Sequence, residues 1–213
     1  MKTVEEMKVL FKDAQDKTKV VFLKSFIKDN PTWDNFIDSI TKKYNDKNLM
    51  NPWSDDERYV QKNGKQTDIF IYNKLDLQVW NVVHPDGNGE ILGLDSFPQA
   101  DVFYKYFAEV IESDRWGIKS LINFAGCEAN YSAHKDLQDV ISWQCVDTVE
   151  YRIYENFDSE YERPLDISNK KYDSYLLEPG DVIFLPKGVI HEVFPHNARA
   201  TLIMNFNLKE KGE

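Results

Sequence analysis

The stretch Glu178-Pro179-Gly180-Asp181-Val182-Ile183-Phe184-Leu185-Pro186-Lys187-Gly188-Val189-Ile190-His191 constrains the fold more than any other part of the chain. Pro179 presets the first central position of a tight turn, and Gly180 permits the positive φ that a type II turn demands at the second. Val182 to Leu185 reads as a short buried strand. Pro186-Lys187-Gly188 then reverses the chain again, so that His191 points back toward the sheet interior. Turn chemistry on both sides of one strand therefore holds an imidazole at a fixed point.

Strands of this kind recur. From Asp68 onward the sequence reads as Ile69 to Tyr72, Leu77 to Val83, Ile118 to Phe124, Ile141 to Val146, Val149 to Tyr154, Tyr175 to Leu177, Val182 to Leu185 and Thr201 to Leu208, separated by turn residues. One helix interrupts them, roughly Pro98 to Ser113, with Phe103, Tyr106, Phe107, Val110 and Ile111 along one side. Many short strands with turns between them predict a sandwich or a jelly-roll barrel. The N-terminal part differs: Val4, Met7, Leu10 and Phe11 follow the helical period, and a second helix is expected from Asn30-Pro31-Thr32 through Trp33, Phe36, Ile37 and Ile40. Val20 to Leu23 is a further strand candidate, and the polar stretch Asn45 to Gln66 reads as a long loop. With 213 residues and no repeat or linker, a single domain over 1–213 is expected, with 1–66 as helical support and loop and 67–208 as the β core.

Hydrophobic residues make up 42% of the chain, which is enough for a packed interior and excludes a wholly disordered protein. A formal net charge of −10, with no Lys/Arg stripe interleaved with aromatics, argues against direct binding of nucleic acid. No apolar run approaches the ~18 residues of a membrane span, and Met1 to Lys12 lacks a signal-peptide core, so a soluble cytoplasmic protein is expected. Cys127 and Cys145 stand in no CxxC spacing and read as reduced packing residues.

Upstream of the turn-strand-turn segment lies His134-Lys135-Asp136. In an extended segment residues i and i+2 share a face, so the His134 imidazole and the Asp136 carboxylate can converge on one ion. Alone this pair is a weak signal. Together with His191 it makes two histidines and one carboxylate, a donor set that leaves half a coordination sphere open, as a non-haem Fe(II) oxygenase requires. His84, in the turn His84-Pro85-Asp86-Gly87, and His196, beyond His191, are expected to be solvated.

The segment His134-Lys135-Asp136-Leu137-Gln138-Asp139, with Gln144 after it and Tyr151-Arg152-Ile153-Tyr154 closing the strand, resembles the Jumonji-C-like protein hydroxylases, and so does Pro179-Gly180-Asp181 through His191 followed by Asn205-Phe206. These enzymes belong to the cupin superfamily of Fe(II)- and 2-oxoglutarate-dependent oxygenases. The resemblance covers about residues 118 to 208. It implies a mainly β fold, a double-stranded β-helix of jelly-roll, cupin-like form with N-terminal and flanking helices on one face. It also implies iron bound by His134, Asp136 and His191, with 2-oxoglutarate as cosubstrate and a C–H bond of a protein or peptide side chain as the hydroxylated target.

One position departs from the family pattern. Where Jumonji-C-like hydroxylases usually hold the far carboxylate of 2-oxoglutarate with a Lys, this chain has Val149, which carries no charge. Other 2-oxoglutarate oxygenases use an Arg on the last barrel strand in an Arg-x-Ser/Thr pattern, and here Arg199-Ala200-Thr201 fits it. Alternation along that strand puts Arg199, Thr201, Ile203, Asn205 and Asn207 on one face and Ala200, Leu202, Met204, Phe206 and Leu208 on the other. The apolar face is expected under the N-terminal helices, which turns Arg199 inward, where a guanidinium can bind a carboxylate through two parallel hydrogen bonds aided by Thr201. Asn205 matches a cosubstrate-contacting Asn in part of the family, and Tyr131 and Asn123 are further candidates to meet the cosubstrate. Two other readings stay open: a metal cupin acting on a small molecule without 2-oxoglutarate, favoured if Arg199 points outward, and a non-catalytic binding module, favoured if the three ligands do not converge. Substrate choice is expected to lie in loops such as Asn45 to Gln66 and Asn156 to Asp173.

Overall fold

The structure, a computed structural model, describes residues 2–38, 69–72, 76–83, 98–111, 116–123, 131–155, 165 and 167–206. The loop Asn45 to Gln66, His84, Cys127 and residues 156–164 lie outside the described residues.

Helix α1 (Val4–Asp16) begins where the sequence Thr3-x-x-Glu6 closes a capping box: Thr3 Oγ1 accepts from the Glu6 backbone N–H at 3.3 Å, and Glu6 Oε2 accepts from the Thr3 N–H at 2.8 Å. It buries Met7, Phe11 and Ala14. Residues 33–38 are helical as expected, with Phe36 buried, but Ile37 is exposed and not part of the buried stripe. Helix α2 (Pro98–Ile111) buries Ala100, Phe103, Phe107, Val110 and Ile111.

Two antiparallel sheets follow. The larger has the order β1-β9-β6-β11-β4-β3-β2, built from β1 (Val21–Leu23), β2 (Ile69–Tyr72), β3 (Asp76–Val83), β4 (Trp116–Asn123), β6 (Asp139–Val146), β9 (Val182–Leu185) and β11 (Arg199–Phe206). The smaller has the order β5-β10-β7-β8, built from β5 (Tyr131–Lys135), β7 (Val149–Tyr154), β8 (Tyr172–Leu177) and β10 (Ile190–Pro195). Consecutive strands alternate between sheets along much of this order, as a jelly roll requires. β5 and β10, which carry the two histidines, are not among the strands the sequence pattern predicts: Ser132, His134 and Lys135 break the apolar pattern of β5, and the adjacent His191 and Glu192 break that of β10.

Alternation along the strands sorts side chains into three layers. Ile141, Trp143 and Cys145 of β6, Phe184 of β9, and Ala200, Leu202, Met204 and Phe206 of β11 pack with Met7, Phe11, Phe103 and Phe107 of the helices. The Phe11 ring stacks on Phe184 at 4.2 Å between centroids, which fastens α1 to the sheet. Val140, Ile183, Leu185 and Ile203 of the large sheet meet Val149, Tyr151, Leu177 and Val193 of the small one, forming a second core between the sheets. The apolar face of β11 thus lies under the helices, as its alternation predicts.

The outward face of the small sheet carries a third, smaller cluster of Ala133, Tyr154, Leu165 and Ile190, so Leu165 of the expected specificity loop packs away from the inter-sheet interior. Beside it, Arg152 pairs with Glu150 at 3.1 Å and lies over the rings of Tyr172 and Phe194. Ser174 Oγ donates to Glu150 at 2.7 Å, and Tyr154 donates its hydroxyl to Glu192 at 2.9 Å.

The turn that opens β9 is anchored from several sides. Gly180 has φ +95°, and a Cβ there would collide with the carbonyl oxygen of Ile27. Buried Asp181 accepts from the backbone N–H of Ser25 at 2.6 Å and of Glu178 at 2.9 Å. Gly180→Ala combines a left-handed backbone with that collision, and a loss of about 2 kcal/mol or more of unfolding free energy is expected in urea denaturation.

Glu150 gives a pH-dependent test. The Arg152 hydrogen bond, aided by Ser174 and opposed by partial burial, holds its carboxyl below the ordinary value of 4.5. A depressed carboxyl stabilises the fold above its unfolded pKa and loses that contribution as pH falls through the folded value. The stability gap between the parent and Glu150→Gln is therefore expected to be full at neutral pH and to close as the pH is lowered below about 4.5, measured by thermal unfolding at a series of pH values.

Candidate active site

β5 and β10 run antiparallel with His134 directly opposite His191 and Lys135 opposite Ile190. This register places the imidazoles on the inward face of the small sheet, with ring centroids 4.3 Å apart. Asp136 follows β5 by one residue, where the backbone N–H of Gly188 donates to the Asp136 carbonyl at 3.1 Å and ties the two turns together. Gly188 has φ +83°, a conformation in which glycine avoids the Cβ penalty. The Asp136 carboxylate oxygens lie 3.7 Å from His134 Nε2 and 3.6 Å from His191 Nε2. One ligand atom from each of the three residues falls within 4.8 Å of the others.

The imidazoles are buried and the carboxylate is partly open, with side-chain exposures of 9% for His134, 4% for His191 and 26% for Asp136, so the cluster is reached from the Asp136 side. His191 Nδ1 lies 3.0 Å from the Val189 carbonyl. A carbonyl can only accept, so Nδ1 carries a proton, and the neutral ring in this orientation has its lone pair on Nε2, on the side facing Asp136. This is how metal-ligating histidines are commonly held. The donor set of two imidazoles and one carboxylate suits Fe(II) and leaves positions for further ligands.

A second polar group is buried between the sheets. Arg199 opens β11 and is 0% exposed. Its Nη1 donates to Thr201 Oγ1 at 2.7 Å, and the Thr201 hydroxyl donates to Gln144 Oε1 at 2.8 Å. Nε and Nη2 of the guanidinium are buried without a hydrogen-bond partner. These two N–H groups form one parallel edge of the planar fork, the geometry that a carboxylate fills with two hydrogen bonds. Among the described residues no acid pairs with Arg199, and an unpaired buried charge of this kind is costly unless a ligand meets it.

Tyr151 is near both groups, its ring centroid 6.4 Å from that of His191. Burial pushes its phenol up, Arg199 pulls it down and Asp136 pushes it up, so both charges act on it within the inter-sheet space. Its hydroxyl is 2.7 Å from Ser142 Oγ. Val149 is fully buried in the same core and places no cation there. Asn205 shares the inward face of β11, and its Oδ1 is buried without a partner. Asn123 pairs by backbone with Arg199 and Tyr131 with Val193, and the side chains of both lie outside the described residues.

His196 is exposed as expected, its Nε2 3.4 Å from Glu150. Cys145 is buried and free, its thiol raised well above the ordinary range by burial, as suits a packing residue. Ser142, Gln144 and Tyr151 were missed as site residues. The signal lay in the alternation of β6, where Ser142 and Gln144 are the polar interruptions on the face that Val140 begins.

Among the described residues no helix is long and apolar enough to cross a membrane. A search of curated proteins finds no match. Among solved structures, the chain is similar to Escherichia coli ycfD, with 15% identity, a TM-score of 0.53, and coverage of 94% of this chain and 53% of that one. A second structure, of the Escherichia coli ribosomal oxygenase YcfD, gives 14% identity and a TM-score of 0.50 over 94% and 52% of the two chains. A third, of the same Escherichia coli oxygenase in complex with cobalt and succinic acid, gives 15% identity and a TM-score of 0.51 over 94% and 52%. At such identities the likeness is one of fold, and this chain spans about half the length of those it matches. The family model for the JmjC domain matches residues 99–212, which include both histidine strands, the Asp136 turn and the whole of β11. With more than half of its length matched in this way, the chain belongs to the JmjC domain family.

Proposed function

We propose that this chain is an Fe(II)- and 2-oxoglutarate-dependent oxygenase that hydroxylates an unactivated C–H bond on a protein side chain. The observation that carries the reading is the pairing, within one inter-sheet space, of the His134, Asp136 and His191 cluster with a buried guanidinium whose Nε and Nη2 have no partner. One group fits a divalent metal and the other a carboxylate. A fold neighbour solved with cobalt and succinic acid supports the same combination, and its description as a ribosomal oxygenase supports a protein substrate. Membership of the JmjC domain family supports the oxygenase class. A metal cupin without 2-oxoglutarate is favoured by an outward Arg199, and Arg199 is fully buried.

His134 and His191 would hold the metal through Nε2 and Asp136 through its carboxylate, which supplies the negative charge that neutral imidazoles lack. Bound iron and 2-oxoglutarate would supply the oxidising chemistry with dioxygen, the cosubstrate leaving as succinate and carbon dioxide. Val189 fixes the His191 tautomer, so that ring needs no reorganisation to bind. Arg199 would take the far carboxylate of the cosubstrate, and Thr201, expected to donate to that carboxylate, instead gives its one proton to Gln144 and holds Arg199 as an acceptor. Val140, Val149, Ile183 and Ile203 form the apolar core between the same two sheets. Asn205, Asn123 and Tyr131 are further groups for the cosubstrate, and a single cytoplasmic domain acting on a peptide or protein segment is the simplest setting for the activity.

Anaerobic titration of the Fe(II)-loaded protein with 2-oxoglutarate tests this reading through the visible charge-transfer band of a metal-chelated 2-oxo acid. The band is expected in the parent protein; iron binding without it would leave a metal cupin, and neither iron nor band would leave a binding module. Asp136→Ala is expected to lose stoichiometric iron, and an unchanged iron content would remove it from the ligand set. Arg199→Ala is expected to keep iron and bind 2-oxoglutarate roughly a hundredfold more weakly, from the loss of two charge-assisted hydrogen bonds. Equal affinity in that variant would show that the anchor lies elsewhere.

A further inference from the structure

Gln144 has no direct part in the proposed site, yet its contacts decide how the site is aimed. It is fully buried on β6, opposite Thr201 of β11. Its amide nitrogen donates to the carbonyls of Val146 at 2.8 Å and Asp147 at 2.9 Å. Carbonyls accept only, so this settles which end of the amide is which and turns Oε1 toward Thr201. The single hydroxyl proton of Thr201 goes to that oxygen. Thr201 Oγ1 is thereby left as an acceptor for Arg199 Nη1. With Nη1 engaged, the guanidinium plane is held and its Nε and Nη2 edge is the one left without a partner.

The backbone of Gln144 is held as closely as its side chain. Its N–H donates to the Asp181 carbonyl at 3.0 Å and its carbonyl accepts from Gly180 N–H at 2.9 Å. The tight turn that opens β9 therefore fixes Gln144, which orients Thr201, which orients Arg199. Each link has one direction only, because each donor and acceptor along it is already assigned.

We propose that Gln144 is a positioning residue that aims the Arg199 fork and so makes the site select a dicarboxylate 2-oxo acid over a monocarboxylate one. The inference rests on the reading of Arg199 as cosubstrate anchor. In the absence of Gln144 the buried Thr201 proton has no acceptor, which favours a Thr201 rotamer that carries Oγ1 away from Nη1. The fork then loses its alignment while the metal cluster, on the other sheet, keeps its geometry.

The test uses Mn(II)-loaded protein without dioxygen, titrated calorimetrically with 2-oxoglutarate and with 2-oxopentanoate, which has the same chelating head and lacks the far carboxylate. Gln144→Leu is expected to weaken 2-oxoglutarate about tenfold and to leave 2-oxopentanoate within about twofold. Thr201→Val is expected to do the same. The double variant is expected to be no weaker than either single one, because both break the same relay. Where Gln144→Leu does not fold, Gln144→Met keeps the length and removes the same groups. Equal weakening of both ligands, or additive losses in the double variant, would mean that Gln144 only supports the core and would overturn the proposal. A parent protein that binds 2-oxopentanoate as tightly as 2-oxoglutarate would instead remove Arg199 as the anchor, and with it the reading on which the relay rests.

Discussion

A guanidinium stands fully inside the protein with half of its hydrogen-bonding edge unmet, and much of the architecture follows from keeping it there. Burying an unpaired charge costs several kcal/mol even after relaxation. The fold offsets part of this cost with Thr201 and, through it, Gln144, and leaves Nε and Nη2 without a partner. A carboxylate ligand would complete the set. The surroundings are consistent with that use: Val149 contributes no competing charge, and Tyr151, held protonated by burial, contributes none either.

The histidine cluster obeys a different logic. His134 and His191 lie far apart along the chain and meet because β5 and β10 pair with the two residues directly opposite. A slip of one residue would turn either imidazole to the outward face, where Ala133, Ile190 and Tyr154 pack with Leu165. Register is therefore as important to the site as residue type. At one end it is supported by the Gly188 to Asp136 hydrogen bond, which joins the turn before β10 to the end of β5. Two sheets with different tasks result: the small one carries the metal-type donors, and the large one carries the charge that complements them.

Much of this was legible in the chain before folding. The turn residues Pro179, Gly180 and Gly188, the apolar run Val182 to Leu185 and the alternation of β11 predicted local conformation and facing, because those properties depend on near neighbours. They also put Arg199 and Thr201 inward. β5 and β10 lie outside the predicted strands because Ser132, His134 and Lys135 in one and the adjacent His191 and Glu192 in the other interrupt the apolar pattern, and two of those residues, His134 and His191, belong to the donor set. Ile37 was assigned to a buried face that the helix does not present.

The sequence by itself determined the residue types, the turns that aim His191, and which face of the last strand is polar, all consequences of stereochemistry over a few residues. Only the tertiary structure decided that His134 faces His191, that Asp136 lies near both, and that Arg199 is buried with a free fork. Those facts depend on pairings between distant strands, and antiparallel register is set by the packing of whole sheets against each other and against α1 and α2. The role of Gln144 is the clearest case. Its contacts run to a turn, to the carbonyls of the last residue of its own strand and of the residue after it, and to a strand far along the chain, and they coincide only once β6, β9 and β11 are paired.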